Sequence, residues 1–320
     1  MTSATLQHPS FRLITPIWPV LLVLVVAASL WSGPFLTPAN LAAVLQQGVI
    51  TGIVALGMTI VLIGGEFDLS TGATVMMAAV MALLLGPSDG LSTLTAILLP
   101  ILTGGVIGLI NGLAVYRAGA NSIVATIGMQ FLVVGAVLAL VRGQHVRADD
   151  IDPLFTALTT ARLLGVPFAV YIFAGLVIGL AIVMSETVFG RHVYALGGDR
   201  EAARRAGIGV TRTGVATYVI SGMLAALAGV LIASLVGHVD PTAIRGYEFP
   251  ALTAAVLGGT SLTGGVGRPA DTAAAILVLA VITNVMTINN YQYPVQLLVQ
   301  GVVLTAAVAF YSWQRSGSAS

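Results

Sequence analysis

Hydrophobic residues along the chain fall into long unbroken runs and do not alternate with polar ones. Apolar segments occupy 16–33, 48–64, 71–86, 93–116, 121–141, 166–185, 214–236, 249–259, 271–288 and 295–313. Most approach the ~20 residues that a helix needs to cross a bilayer; 249–259 is too short to cross alone. A membrane barrel would alternate, so that class is excluded. The expected fold is all-α: a polytopic transmembrane helical bundle of about ten spans, with a tail at 1–15, one transmembrane domain at 16–313 and a second tail at 314–320. The first apolar stretch follows Arg12 and offers the small residues VVAAS (25–29), which resembles a secretory signal peptide. A retained signal anchor is the better reading, because spans fill the rest of the chain.

The runs are interrupted twice in the same way. Apolar sequence on both sides flanks GGEFDLSTG (64–72) and again GGTSLTGG (258–265), each with paired glycines and hydroxyl residues. Matched interruptions of this kind mark pathways in transporters; they also serve as ordinary glycine-rich turns between neighbouring helices. Gly258, Gly259, Thr260 and Ser261 in the second, and Glu66, Asp68 and Ser70 in the first, are therefore candidates for translocation or gating. Capping of the helix that starts near Thr71 is the favoured role for Asp68.

Composition sharpens the picture. Charged residues are 8% of the chain, against ~25% in typical soluble domains. Glycine, at 37 residues, suits close helix contact in lipid. The net charge of +1 gives no electrostatic footprint for nucleic acid. Cysteine is absent, which removes disulfide and thiol chemistry. All 13 basic residues are arginine, so the lysine of a phosphate-binding Walker loop is missing and the chain is not itself a P-loop ATPase. The histidines at 8, 145, 192 and 238 lack metal-ligand spacing. Neither hydrolytic nor other catalytic constellations are found, so no catalytic or metal residues are assigned.

Arginine also sets orientation, since cytoplasmic loops are enriched in it. With the N-terminus inside, Arg12, Arg117, Arg191, Arg200, Arg204, Arg205, Arg212, Arg268 and Arg315 fall inside. Arg142, Arg147, Arg162 and Arg245 fall outside. Both termini are then cytoplasmic.

Charge gathers in YALGGDREAARRAGIGV (194–210), within the polar loop 186–213. A short helix is expected from Asp199 to Ala206. Asp199 caps its start, Glu201 stands four residues before Arg205, and Gly207 ends it. The segment reads either as a short polar helix lying on the inner membrane face or as a solvated loop whose arginines fix topology.

The wording of several segments narrows the choice. EAARRAG (201–207) resembles the EAA-x-x-x-G loop of permease subunits in bacterial ATP-binding-cassette importers. GRHVYALGGDREAARRAGI (190–208), PTAIRGYEFPALTAAVLGGTSLTGGVGR (241–268), GMTIVLIGGEFDLSTG (57–72) and IVATIGMQFLVVGAVLALVRG (123–143) are similar to the ribose/xylose-type sugar permeases. The resemblance implies a permease that moves a monosaccharide by alternating access. It implies that Gly197, Gly198, Glu201, Ala202, Ala203 and Gly207 form a coupling helix seated in a groove of a separate ATPase subunit. It implies ATP and magnesium on that partner and no cofactor on this chain. The further partners implied are a second permease copy or paralogue, a periplasmic or lipid-anchored sugar-binding protein, and membrane lipid. Autoinducer-2, a nucleoside or a branched-chain amino acid are alternative cargoes. An ion-coupled carrier is the rival from another class, with Glu66 and Asp68 as its only candidate ion site. Glu66 itself departs from the family pattern and has no assigned role.

Amides in or beside spans, including Asn111, Gln130, Asn284, Gln296 and Gln300, read mostly as helix-to-helix bonds, with a few free to line a sugar path; Asn284 is kept as a pathway candidate. Tyr291 and Tyr293 suit an interfacial belt. The segment VGHVDPTAIRGYEF (236–249) carries His238, Asp240, Arg245 and Glu248 at the outer face, as a docking rim or as a plain solvated loop.

Overall fold

A computed structural model describes residues 17–148, 151–244, 246–292, 294–303 and 305–306. Arg12, His8, Asp149, Asp150, Arg245, Tyr293, Arg315 and both predicted tails lie outside these residues. The helices are α1 Ile17–Trp31, α2 Pro38–Ile63, α3 Thr71–Leu84, α4 Gly90–Tyr116, α5 Ser122–Val141, α6 Pro153–Thr160, α7 Phe168–Glu186, α8 Val188–Gly198, α9 Arg200–Arg205, α10 Val210–Val236, α11 Glu248–Leu257 and α12 Pro269–Ile288. A further helix, α13, spans Pro294–Val303. Four two-residue strands, β1 Val146–Arg147, β2 Arg162–Leu163, β3 Val166–Pro167 and β4 His238–Val239, form two small antiparallel pairs, β1 with β4 and β2 with β3.

Local chemistry sets the helix ends. Asp89 and Ser92 form a reciprocal capping box on α4. The Asn121 side chain accepts from the amides of Ile123 and Val124 to start α5. Pro38 and Pro269 occupy first turns, where a missing N–H costs nothing. Gly237 ends α10 in the left-handed conformation.

The expectation of about ten spans is corrected. Among the described residues, six helices are long and apolar enough to cross: α2, α4, α5, α7, α10 and α12. The apolar helices α1, α3, α11 and α13 are shorter. α1 and α13 adjoin residues outside the description, and for α3 and α11 the reason is geometric. Hydropathy registers an apolar run but not whether it is one full-length helix. α3 has 14 residues and α11 has 10, about 21 and 15 Å at 1.5 Å per residue, against a hydrocarbon core of ~30 Å. Each adjoins one of the glycine-rich interruptions, so each is a half-length buried helix.

α10 is the hub and packs on α2, α3 and α4. Its contact with α4 is backbone against backbone. Gly104, Gly108 and Gly112 recur every four residues on one face of α4. A Cβ at Gly104 would strike the Gly222 carbonyl, and one at Gly222 would strike the Gly104 carbonyl. Only glycine permits that approach, which is how helices associate where lipid removes the hydrophobic drive. α2 is central, with 78% of its apolar window buried, whereas α5 and α7 bury only 17% and present their faces outward to lipid or a partner. At the end of the bundle where α2 begins, Val146 pairs with Val239, and the Thr93 hydroxyl donates to Asp152 at 3.0 Å.

Candidate functional site

The charged segment folds as two short helices between α7 and α10. Thr187 caps α8, accepting from the Gly190 amide at 3.2 Å. Asp199 then caps α9, accepting from the Glu201 and Ala202 amides at 2.9 Å each. Gly207, at φ +81°, closes α9. Its amide bonds to the Arg204 carbonyl and that of Ile208 to the Ala203 carbonyl, both at 3.1 Å. This is the paired bonding of a glycine-terminated helix. Glu201 reaches Arg205 at 3.3 Å and Arg204 at 3.9 Å. The expected cap, ion pair and terminator are all present.

The motif residues divide into two groups that their spelling did not separate. Glu201, Ala202, Arg204, Arg205 and Gly207 are exposed. Ala203 is 4% exposed and packs inward among Val61, Val115, Leu196, Val210 and the rings of Tyr116 and Tyr218. Gly198 is open, with nothing within 4 Å of an added Cβ. Gly197 has no such freedom. A Cβ there would collide with the Ile63 carbonyl and lie 2.6 Å from the Gly265 amide nitrogen. That amide already donates to the Ile63 carbonyl at 2.9 Å. A Cβ on Gly264 would lie 2.6 Å from the Gly197 oxygen and 2.7 Å from the Gly65 Cα. The two glycine-rich interruptions thus meet each other, and they meet at the base of the charged segment.

Side chains brace this junction. Arg200 pairs with Glu66 at 3.2 Å and lays its guanidinium 4.5 Å above the Tyr116 ring. The Tyr116 hydroxyl donates to the Gly64 carbonyl at 3.3 Å and Tyr218 to that of Phe67 at 2.8 Å. The two rings meet edge to face, 6.2 Å between centroids. Tyr194 donates to the Gly267 carbonyl at 2.7 Å. Glu66, unexplained from sequence, is the acid that faces the charged segment. A partly exposed pair of this kind is worth ~0.2–1 kcal/mol, with a similar contribution from the cation over the ring.

Asp68 does not cap α3, contrary to the favoured expectation. Ser70 is the N-cap residue and makes no side-chain cap bond. The Asp68 carboxylate, 1% exposed, accepts from the Ser70 amide and hydroxyl at 3.2 and 2.7 Å, and from the Ser221 hydroxyl of α10 at 2.9 Å. Asn111 of α4 donates to the Ser70 hydroxyl at 2.8 Å. A buried carboxylate needs several donors, and these come from its own turn and from α10. Asp68 therefore ties its own turn to α10, Ser70 carries the network on to α4, and both Asp68 oxygens are engaged by protein donors.

The remaining candidates lie apart. A Cβ at Gly258 would meet the Thr272 amide nitrogen at 2.7 Å; Gly259 has φ +82°. Thr260 is buried, and its hydroxyl has no hydrogen-bond partner among the described residues. Ser261 and Thr263 share a hydroxyl bond at 2.9 Å. Asn284 exchanges amide bonds with Asn40 at 3.1 and 2.8 Å, clasping α12 to the start of α2. At the opposite face, Glu248 is buried, 3% exposed, and accepts from Gln130 at 3.1 Å, so it leaves the expected charged rim. Asp240 stays half-buried there, its carboxyl held below the usual range by the Thr242 hydroxyl and amide. Sequence reasoning missed Tyr116, Tyr218, Ser221 and Asn40. Nothing in their spacing pairs them with distant loops.

Residues 40–308 match the family described as branched-chain amino acid transport system, permease component. The chain belongs to this permease family. It is 34% identical over 291 residues to the ribose import permease protein RbsC of Escherichia coli K12, covering 90% of each chain. It is also 34% identical to the RbsC of Bacillus subtilis 168 over 289 residues, covering 90% of this chain and 89% of the relative. The L-arabinose ABC transporter permease protein AraH of Azospirillum brasilense is 33% identical over 298 residues, covering 93% and 87%. No solved structure matches. The permease is thus a multi-pass membrane component of a transport system and not a catalytic subunit.

Proposed function

We propose that this permease is the membrane subunit of an ATP-driven importer that carries a monosaccharide across the bacterial inner membrane. The observation that carries the reading is α9: a capped, charged, exposed helix on an otherwise apolar bundle, carried by α8, whose Gly197 rests by backbone contact on the end of α2 and on the 258–265 turn. A helix so built can deliver the movement of a soluble partner to membrane helices, and the relatives named for ribose and arabinose direct the substrate class. Two copies, or one copy and a paralogue, form the pathway. Two ATPase subunits, holding ATP and magnesium, meet α9 from the cytoplasm through Glu201, Ala202 and the adjoining arginines. A sugar-binding protein docks at the other face, where Thr242 is exposed beside half-buried Asp240. Both termini are cytoplasmic. In this scheme the two glycine turns gate the pathway by moving with α9.

The test is purification in mild detergent from native membranes with mass spectrometry of co-purifying chains. Reconstitution with the captured partners follows, with labelled D-ribose, L-arabinose and L-leucine offered in turn. A stoichiometric ATPase and ATP-dependent sugar uptake are expected. A chain that comes out alone and transports without ATP refutes the proposal, and import of leucine alone refutes its substrate class.

A further inference from the structure

At the far end of α2 from the glycine junction lies a cavity of about 650 Å³, lined by α2, the 243–250 segment, α12 and α13. Gln47 on its wall precedes Ile63 by a helical distance of about 24 Å at 1.5 Å per residue. With α9 at the cytoplasmic side, the cavity belongs to the outer half of the permease. Its volume falls in the range of small-molecule sites, ~300–1,000 Å³.

The lining is chemically uniform in one respect. Four carboxamides, Gln46, Gln47, Gln296 and Gln300, face it together with the phenol of Tyr247, over an aliphatic floor of Ile276 and Leu279. Among the described residues, no charged side chain lines it. Gln46 and Gln296 are engaged with the carbonyls of Thr159 and Tyr291, at 3.4 and 3.1 Å. Gln47 and Gln300 make no hydrogen bond to any described residue, and Gln300 is half-buried. A carboxamide both donates and accepts, as a hydroxyl does. An ion entering such a site loses hydration and finds no opposite charge. An amino acid brings two ions; a sugar brings none and offers C–H faces to the aliphatic floor.

We propose that this cavity is the outer vestibule of the pathway and selects uncharged polyhydroxylated solutes, with the Gln47 and Gln300 carboxamides meeting the solute. This rests on the reading of the chain as an importer permease, and it adds a site and a selection rule to that reading.

The test uses the full chain assembled with its ATPase and binding protein. Gln47→Cys and Gln300→Cys, each in the otherwise cysteine-free chain, are treated from outside with an impermeant maleimide. Both are expected to react. Gln47→Leu and Gln300→Leu are then assayed for uptake of D-ribose and L-arabinose. Each is expected to raise KM about fivefold, the worth of one hydrogen bond, with ATPase binding unchanged, and Gln→Asn at each position is expected to recover much of the loss. Cysteines that never react, or Leu variants that import as the wild type does, overturn the proposal. Arg245, adjacent in sequence to the lining residue Gly246, is replaced by Gln in the same series. A loss there as large as that of the Leu variants overturns the claim that the vestibule works without charge. If the wild-type assembly imports leucine and neither sugar, the functional reading fails. If it imports a sugar and the variants are silent, only the vestibule fails.

Discussion

Gly197 and Gly198 are neighbours in sequence and identical in chemistry, yet alanine should act on them in opposite ways. At Gly198 a methyl group enters open space at the end of α8. Alanine there gains helix propensity, up to ~1 kcal/mol over glycine. At Gly197 the methyl meets the Ile63 carbonyl and the Gly265 amide, the two partners of an existing hydrogen bond. Both obstacles are backbone, so no side chain can rotate away. Overpacking costs ~1–3 kcal/mol, and rigid obstacles put this site at or above the upper end. Subtracting the propensity gain leaves a net cost of ~2 kcal/mol or more, a shift of about 30-fold in the equilibrium between seated and unseated α8–α9, since ~1.4 kcal/mol is a factor of ten. The assay is thermal stability of each variant in detergent, alongside ATP-dependent sugar uptake and capture of the ATPase. Gly197→Ala should lower the melting midpoint and strongly reduce uptake; Gly198→Ala should match or exceed wild-type stability. Two variants that behave alike would refute the junction.

Other expectations separate the remaining contacts. Ser221→Ala should destabilise the chain by ~1–3 kcal/mol, because it leaves one oxygen of buried Asp68 without a donor; had Asp68 only capped α3, the same change would be silent in a melting experiment. A double-mutant cycle of Glu66→Gln and Arg200→Gln should return a coupling of ~0.2–1 kcal/mol, and a value of zero would remove Glu66 from the brace. Gly207→Trp should leave the inserted chain intact while abolishing ATPase capture and uptake, because the αL position strains any side chain and the indole would fill the space that a groove must occupy. For topology, a cysteine at exposed Thr242 should react with an impermeant reagent from outside and one at exposed Ala202 only after permeabilisation; the reverse pattern would invert the permease.

What the sequence made legible depended on the range of the interaction. The ends of α9 could be read because a cap, an i,i+4 pair and a terminating glycine act within one turn. Asp199, Glu201, Arg205 and Gly207 each do what their spacing suggested. Asp68 was misassigned for the same reason: a local cap was the nearest partner visible, while Ser221 is 153 positions away. The two glycine interruptions were noticed as a repeat, but nothing in a linear pattern says that Gly65 and Gly264 touch. Span counting failed at α3, a buried helix as apolar as a full span, whereas the shortness of α11 was legible from the length of its run.

The arrangement of the joint explains why an almost uncharged chain keeps a charged helix and mounts it on glycine. A soluble partner can hold α9 only through polar side chains, so Glu201 and the arginines must stay in water. Motion can enter the bundle only through contacts that do not yield. Side chains have rotamers to absorb a push; apposed backbones do not, because interiors packed to this density respond by switching and not by flexing. Gly197 brings α8 against Ile63, the last residue of α2, and against Gly264 and Gly265, which lead into α12. α2 is 26 residues long, about 39 Å at 1.5 Å per residue, and its opposite half carries Gln46 and Gln47 into the cavity that α12 also lines. A displacement of α9 therefore acts on two helices whose other halves line the cavity proposed as the vestibule. In the proposed importer, closing the ATPases below and reshaping the site above become one movement, with α2 as the rigid member between them.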